Sequence, residues 1–360
     1  MSATNQHIIL NNRQFSSREI SVLKAEKATS PSTPEWEIEL YQFLEEWFSE
    51  SDFAMAQTSG STGAPKPIKL PKTVMLQSAI RTIEYFKLQK SSRILLSLPC
   101  RFIAGKMMVV RAIAGQMNLI AVDPGTDFSF LLNERFDFGA MVPNQVFKLL
   151  ESPSGIKKLE NIGNLLIGGA AIPCSLEEQI SRLKTRVVST YGMTETASHI
   201  ALRELSGEIR SDIYRCLPGI TISANENDCL RIHLPEYAEP LQTNDIAEII
   251  ANNSFRILGR ADDVIISGGI KYFPEMIERK LAESIQERFI ITSAPDEKLG
   301  EKLVLVIEGT PRHNDQEMKE KLTILQPFER PREIYYLEKF AETSNGKVKR
   351  NEIKKAIRRF

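Results

Sequence analysis

From Arg93 to about Thr190 the chain alternates short apolar runs with helix-patterned segments, and this alternation restricts the fold more than any other feature. The runs ILLSLP, NLIAV, FGAMV, NLLIGG and RVVST are short, rich in branched residues and bounded by Pro, Gly, Asn or Ser, the marks of buried strands. Between them stand helical patterns: Gly105 to Ala114, PNQVFKLLES, and a segment near Leu176 to Leu183. Strand and helix in turn predict βαβ units around a largely parallel sheet. Ligand chemistry in such sheets gathers at the carboxyl ends of the strands. An earlier helix, Pro34 to Ser49, carries Trp36, Leu40, Phe43, Leu44 and Trp47 at spacings of three and four, a stripe that faces a core.

The pattern changes twice further on. From about Leu217 to Leu258 short strand-like pieces (LRIHL, IAEII, FRILG) are separated by Asn, Asp, Glu and Pro, which predicts a β-rich subdomain. Beyond Arg260 come a helix at 274–285, a strand pair in RFIITSAP and KLVLVIEG, a helix at 315–323, a strand in EIYYLE and a basic terminal helix. The expected fold is α/β. A large N-terminal domain, residues 1–261, holds largely parallel βαβ sheets and the β-rich subdomain at about 217–258. A small α+β C-terminal domain follows, residues 262–360, with the boundary at Ala261–Asp262.

With 46 Lys+Arg against 46 Asp+Glu, no overall field points to nucleic acid or to an anionic membrane. Hydrophobic residues at 42% exceed what a disordered chain carries. Cys100, Cys174, Cys216 and Cys229 are widely spaced with no CxxC pair, so reduced thiols of a cytosolic protein are expected rather than a zinc site. The opening MSATNQHIILNNRQF lacks a basic stretch before an apolar core, and no run approaches the ~18 apolar residues that cross a bilayer. A cytoplasmic location with no membrane insertion is expected.

Four motifs carry the chemistry. In Thr58-Ser59-Gly60-Ser61-Thr62-Gly63-Ala64-Pro65-Lys66, backbone N–H groups, hydroxyls and one ammonium can surround phosphate oxygens. The spacing is not that of an NTPase P-loop, because Lys66 is separated from Gly63 and followed by Pro67. A flexible Ser/Gly linker shares the composition, but Pro65, Lys66 and a strand-like IKL follow at once. Tyr191-Gly192-Met193-Thr194-Glu195-Thr196 comes directly after RVVST: an aromatic ring beside Gly can stack on a purine, Thr194 can bond an α-phosphate and Glu195 can hold Mg²⁺. Alone, a Thr-Glu pair is more often a helix cap. The third motif joins Thr243-Asn244-Asp245 to Leu258-Gly259-Arg260-Ala261-Asp262-Asp263, and the fourth is Asn345-Gly346-Lys347-Val348-Lys349-Arg350, where Asn-Gly makes a tight turn that projects Lys347.

In this order the motifs resemble the acyl-CoA synthetase, adenylation-domain and luciferase superfamily, over about Thr58 to Arg350. TSGSTGAPK matches its phosphate loop, with Pro67 where members usually carry Gly. The resemblance implies that Asp245 holds the ribose hydroxyls with help from Arg260. It implies that Asp262 is the hinge about which a mobile C-terminal domain swings between two half-reactions, and that Gly268 and Gly269 border the pantetheine channel. Lys347 would bridge the attacking carboxylate and the α-phosphate oxygen. ATP and Mg²⁺ are the implied cofactors, with coenzyme A as co-substrate and a small-molecule carboxylic acid as substrate. A carboxylate attacking phosphorus needs charge neutralisation and in-line geometry but no general base.

Within the superfamily, MVPNQVFKLLES, LLIGGAAI, YGMTETASHIALR and LPCRFIAGKMMVVRAI are most similar to the o-succinylbenzoate–CoA ligases of menaquinone biosynthesis. Phe102 stands where that family has His in LPxxHxxG. Gly168, Gly169 and Ala170 would floor the acyl pocket. Lys106, Arg111 and His199 are candidates for the substrate's second carboxylate, each with a satisfied structural role as the alternative. The first subdomain is shorter than in most members, and a homodimer is one way to cover the surface this leaves. No carrier domain follows Phe360, which favours free coenzyme A. An acyl- or aryl-CoA ligase for another acid, a stand-alone adenylation enzyme and a non-catalytic nucleotide-binding relative remain the alternatives.

Overall fold

The computed structural model describes residues 7–57, 66–125, 128, 134–282, 284–311, 315–342 and 348–357. The chain gathers into two compact units: residues 1–169, 179–220 and 234–238 form the first, and residues 170–178, 221–233 and 239–360 the second.

The first unit begins with a hairpin, β1 (His7–Leu10) and β2 (Arg13–Ser16), followed by helices α1 (Ser17–Thr29) and α2 (Glu35–Phe48). A separate two-stranded sheet follows, β3 (Phe53–Gln57) and β4 (Pro67–Pro71), then α3 (Lys72–Phe86). The alternating region comes next: β5 (Arg93–Leu96), α4 (Ile103–Gly115), β6 (Asn118–Ala121), β7 (Phe136–Met141), α5 (Pro143–Leu150), α6 (Pro153–Glu160), β8 (Ile162–Ile167), α7 (Cys174–Ser181) and β9 (Arg186–Gly192). Strands β6, β5, β7, β8 and β9 lie side by side, all parallel, as the alternation predicts. β10 (His199–Glu204) and β11 (Tyr214–Cys216) then extend the sheet in antiparallel sense.

Strands β5, β7, β8 and β9 are buried on both faces. Ile94, Leu95, Phe138, Leu165, Ile167, Val187 and Val188 are at or near zero exposure, which is why the strands read as unbroken apolar runs. Helix α4 is buried along most of its length, Gly105 through Ile113, and among these residues only Lys106 and Arg111 carry charge. Its apolar character on all sides is that of a helix enclosed by the core rather than laid on it.

In the second unit β12 (Thr221–Ala224), β13 (Cys229–His233), β14 (Leu241–Ala251) and β15 (Ser254–Arg260) form an antiparallel meander. After a short turn at Ala261–Asp263 come the hairpin β16 (Ile265–Ser267) and β17 (Ile270–Tyr272), helix α8 (Pro274–Leu281), β18 (Phe289–Asp296), β19 (Gly300–Glu308), α9 (Asp315–Lys321), β20 (Glu333–Leu337) and α10 (Arg350–Ile357). Leu303, Leu305 and Ile307 on β19 pack with Ile277 and Leu281 of α8 and Met318 of α9, while Val304 and Val306 pack with Ile353 and Ile357 of α10. Opposite faces of one strand thus feed two cores. Among the described residues, no helix is long and apolar enough to cross a membrane.

One acid is held under tension in this unit. Glu275, at the start of α8, lies so close to β15 that a Cβ on Gly259 would stand 2.5 Å from its Oε2. That oxygen is buried with no hydrogen-bond partner among the described residues. Burial pushes the carboxyl up to about 7 from 4.5, against the pull of Arg350 and with the repulsion of Glu278 and Asp263 added. Between those two values the folded chain keeps a proton that the unfolded chain releases, so stability falls as pH rises from about 4.5 to about 7. Glu275→Gln is therefore expected to gain on the wild type between pH 5 and pH 8, on the order of 3 kcal/mol at most. The check is the difference in melting temperature across that range; a difference that stays flat with pH would contradict the assignment.

Candidate active site

The second motif is built by the end of β9. Tyr191 and Gly192 are its last residues, and Thr194–Thr196 form a single 3-10 turn. The turn is fixed by its own hydroxyl: Thr196 Oγ1 donates within hydrogen-bond distance of the Met193 and Ser198 carbonyls (2.8 and 2.6 Å) and accepts from the Met193 N–H at 3.0 Å. The chain then reverses through Ala197, at φ +60°, into β10. Gly192 faces His199 across the pair, where a Cβ would stand 2.3 Å from the Ser198 carbonyl oxygen and 2.7 Å from His199 Cα.

Thr194 is buried, and its Oγ1 donates to the Gln57 carbonyl at 3.4 Å. Gln57 ends β3 and pairs with Pro67, which begins β4 directly after the exposed Lys66. The strands flanking the first motif therefore end beside the second. Thr58, Ser59, Gly60, Ser61, Thr62 and Gly63 lie outside the described residues, as does Lys347. The Glu195 backbone carbonyl accepts from Tyr237 Oη at 3.1 Å. Its carboxylate has no hydrogen bond or ion pair among the described residues. Tyr191 is half-buried, with its ring centroid 5.8 Å from that of Tyr214.

The three candidate cations separate into two environments. Lys106 donates from Nζ to the Met55 carbonyl at 2.6 Å and lies 3.4 Å from Glu46 Oε2, while Glu46 Oε1 accepts from the Met55 N–H at 2.6 Å. Its ammonium holds β3 in place from the side of α4. Arg111, one and a half turns along the same helix, is 2% exposed. Its Nη2 donates to Ser198 Oγ at 2.7 Å and lies 3.5 Å from His199 Nδ1, its Nη1 meets the Met108 thioether, and its Nε–H is buried without a partner among the described residues. No carboxylate pairs with it among the described residues. Burial brings this guanidinium down to about 9 from 12.5, so it keeps its charge at neutral pH.

His199 is 6% exposed and its Nε2 lies 3.2 Å from Thr82 Oγ1 on α3. Burial, with the charge of Arg111 added, holds its pKa well below 6.5. Gly168 and Gly169 follow β8; the Gly168 N–H donates to the Met141 carbonyl at 3.2 Å, and Thr190 Oγ1 to the Ile167 carbonyl at 3.3 Å. Ala170 begins the segment assigned to the second unit.

The second unit assembles the third motif. Asp245 on β14 and Arg260 on β15 stand opposite each other, with Nη1 to Oδ1 at 2.8 Å. Asp262 lies 3.8 Å from Arg260 Nη2 and accepts from Asn244 Nδ2 at 3.4 Å. Gly268 and Gly269, at φ +59° and +82°, make the two-residue loop of the β16–β17 hairpin, a turn that requires positive φ at both positions. Ser198, Thr82 and Tyr237 escaped the sequence reading. Ser198 adjoins His199 and could have been taken with it; Thr82 and Tyr237 give no sequence signal, because their partners are distant in the chain.

Residues 3–230 match the AMP-binding enzyme family, and the chain belongs to it. An α/β fold with the second motif beside the flanks of the first defines an ATP-using, AMP-forming ligase. Among known proteins it is similar to 2-succinylbenzoate–CoA ligase of Escherichia coli K12, 28% identical over 85% of this chain and 69% of that one. It also matches the crystal structure of an acyl-CoA synthetase (AMP-forming)/AMP-acid ligase II-like protein from Dyadobacter fermentans, 36% identical with a TM-score of 0.61, over 91% of this chain and 97% of that one. The o-succinylbenzoate coenzyme A synthetase of Bacillus subtilis, solved with ATP and magnesium ion, shares the fold with a TM-score of 0.70 at 20% identity, over 94% of this chain and 82% of that one.

Gly192→Ala forces backbone against backbone in the β9–β10 reversal. It is expected to cost about 2 kcal/mol or more of stability and to lower acyl-AMP formation by displacing the turn that carries Thr194. An unchanged melting temperature would show that the approach yields without cost.

Proposed function

We propose that this ligase converts o-succinylbenzoate, ATP and coenzyme A to o-succinylbenzoyl-CoA, AMP and diphosphate through an acyl-AMP. The observation that carries the substrate is Arg111. A buried guanidinium with no acid beside it among the described residues is costly, and a dicarboxylic substrate supplies the missing anion. One carboxylate is activated at phosphorus while the other meets the Nε–H of Arg111, which has no partner among the described residues. The sequence likeness to 2-succinylbenzoate–CoA ligases supports the same reading. Purified protein with ATP, Mg²⁺ and coenzyme A is expected to form thioester from o-succinylbenzoate far faster than from benzoate or medium-chain fatty acids. Arg111→Ala should raise the KM for o-succinylbenzoate roughly a hundredfold, as loss of a buried charged pair implies. Preference for a monocarboxylic acid would leave the ligase class standing and remove this substrate.

For the first half-reaction, Thr194 bonds the α-phosphate, Tyr191 stacks on the adenine, and Asp245 with Arg260 holds the ribose. Gly268 and Gly269 border the channel through which the thiol arrives. The free carboxylate of Glu195 suits Mg²⁺, which takes one or two protein carboxylates and completes its shell with phosphate and water. No group of three or more His, Cys, Asp or Glu is placed to cage a metal among the described residues, in keeping with an ion shared with the nucleotide. When bound, Mg²⁺ neutralises charge on the phosphates. The small domain, residues 262–360, is proposed to turn about Asp262, which is half-exposed in a short turn with no buried residue.

Lys347 is assigned to adenylation alone. Lys347→Ala is expected to lose acyl-AMP formation by about a thousandfold, the scale of a lost transition-state charge contact, while still converting supplied acyl-AMP and coenzyme A to thioester. Single-turnover assays of the two half-reactions separate the outcomes, and equal loss in both would remove the role.

A further inference from the structure

The carboxylate site needs a guanidinium that points one way, and the hydrogen bonds around it have a fixed sense. Thr82 Oγ1 lies 3.0 Å from the Ser78 carbonyl, and a carbonyl only accepts. The single hydroxyl proton of Thr82 therefore goes to Ser78, leaving Oγ1 to accept from His199 Nε2 at 3.2 Å. On the other side a guanidinium only donates, so Ser198 Oγ accepts from Arg111 Nη2 at 2.7 Å. The Ser198 proton is then free to go to His199 Nδ1, 3.2 Å away.

Every proton is placed once: Arg111 to Ser198, Ser198 to His199 Nδ1, His199 Nε2 to Thr82, Thr82 to the backbone of α3. Only the neutral Nε2–H form of His199 completes the series. An imidazolium would set an N–H at Nδ1 against the guanidinium 3.5 Å away. Thr82 is fully buried, Arg111 and His199 are nearly so, and Ser198 is half-buried, so the His199–Thr82 end of the chain is shielded from water. Bonds aligned head to tail in such a medium reinforce one another.

We propose that Ser198, His199 and Thr82 form a one-way hydrogen-bond chain that aims the Arg111 guanidinium at the distal carboxylate of the substrate, with His199 a positioning residue and not a second cation. The proposal rests on the dicarboxylic acid reading above. Its effect reaches substrate only through Arg111, so it is felt by acids that carry the second carboxylate and not by those without it.

The test pairs o-succinylbenzoate with 3-benzoylpropionate, the same skeleton lacking the ring carboxylate. His199→Leu and Thr82→Val are expected to raise KM for o-succinylbenzoate roughly tenfold, the scale of one buried hydrogen bond to a charged group. Their kcat, and the kinetics with 3-benzoylpropionate, should stay close to wild type. His199→Gln, whose amide offers an acceptor to Ser198 and a donor to Thr82, should restore the KM. Nitrogen-15 spectra of the full chain at neutral pH should show His199 protonated at Nε2 alone, a readout independent of turnover. Equal effects on both acids, failure of His199→Gln to rescue, or a proton at Nδ1 would each overturn the chain. If wild type does not favour o-succinylbenzoate over 3-benzoylpropionate, the substrate reading falls and takes the aiming role with it. A wild type that favours it, with variants that change nothing, overturns the aiming role alone.

Discussion

A guanidinium withdrawn from water without a counter-ion is the constraint around which the first unit is arranged. Moving such an ion into a protein interior costs several kcal/mol even after relaxation, and Arg111 has no acid among the described residues to offset it. What it has is geometry: Ser198 and His199 on one side, the Met108 thioether on another, and helix α3 closing the space through Thr82. The apolar surroundings of α4 keep solvent away. A helix otherwise made of core residues thus fixes two charges, Lys106 beside Glu46 and Arg111 with no acid beside it among the described residues.

Arg350 in the second unit is the opposite case. It is half-buried, and it forms a bidentate pair with Glu278 at 2.8 and 2.6 Å and donates to the Ile291 carbonyl at 3.0 Å. Burial works to lower its pKa, yet Glu278, Glu275 and Asp263 outweigh it and hold the group above its ordinary value. Its charge is used up in fixing α10 against α8 and β18. Removing an arginine of the first kind strands no carboxylate among the described residues; removing one of the second kind leaves Glu278 unpaired.

The contrast explains what the sequence could and could not disclose. The parallel run β6-β5-β7-β8-β9 was legible because its strands are short apolar runs bounded by Gly, Pro or Asn, with β5, β7, β8 and β9 buried on both faces. The Asp245–Arg260 cluster was legible as two short motifs that a single antiparallel pairing brings opposite each other. The antiparallel β10 was not, because ASHIALR continues the nucleotide motif without a turn signal, and the reversal depends on Ala197 at positive φ. Lys106 and Arg111 are indistinguishable as letters five residues apart. Their difference lies in Glu46 and Met55 beside one, and Ser198 and His199 beside the other. Contacts across that much chain leave no local trace.

The pairing of β14 with β15 has a consequence for which lengths of chain this site tolerates. Ile246 stands opposite Gly259 and Ala247 opposite Ile257, so Leu258 is an extra residue with no partner across from it. A bulge of this kind bends its strand and sharpens the local twist, so Leu258 sets the angle at which Arg260 approaches Asp245. Deleting Leu258 would leave a regular ladder, with Ile246 still opposite Gly259 and Asp245 still opposite Arg260, and would take away only the bend. Descendants of this chain should therefore vary in the identity of that residue, and even in its presence, while keeping Asp245 opposite Arg260.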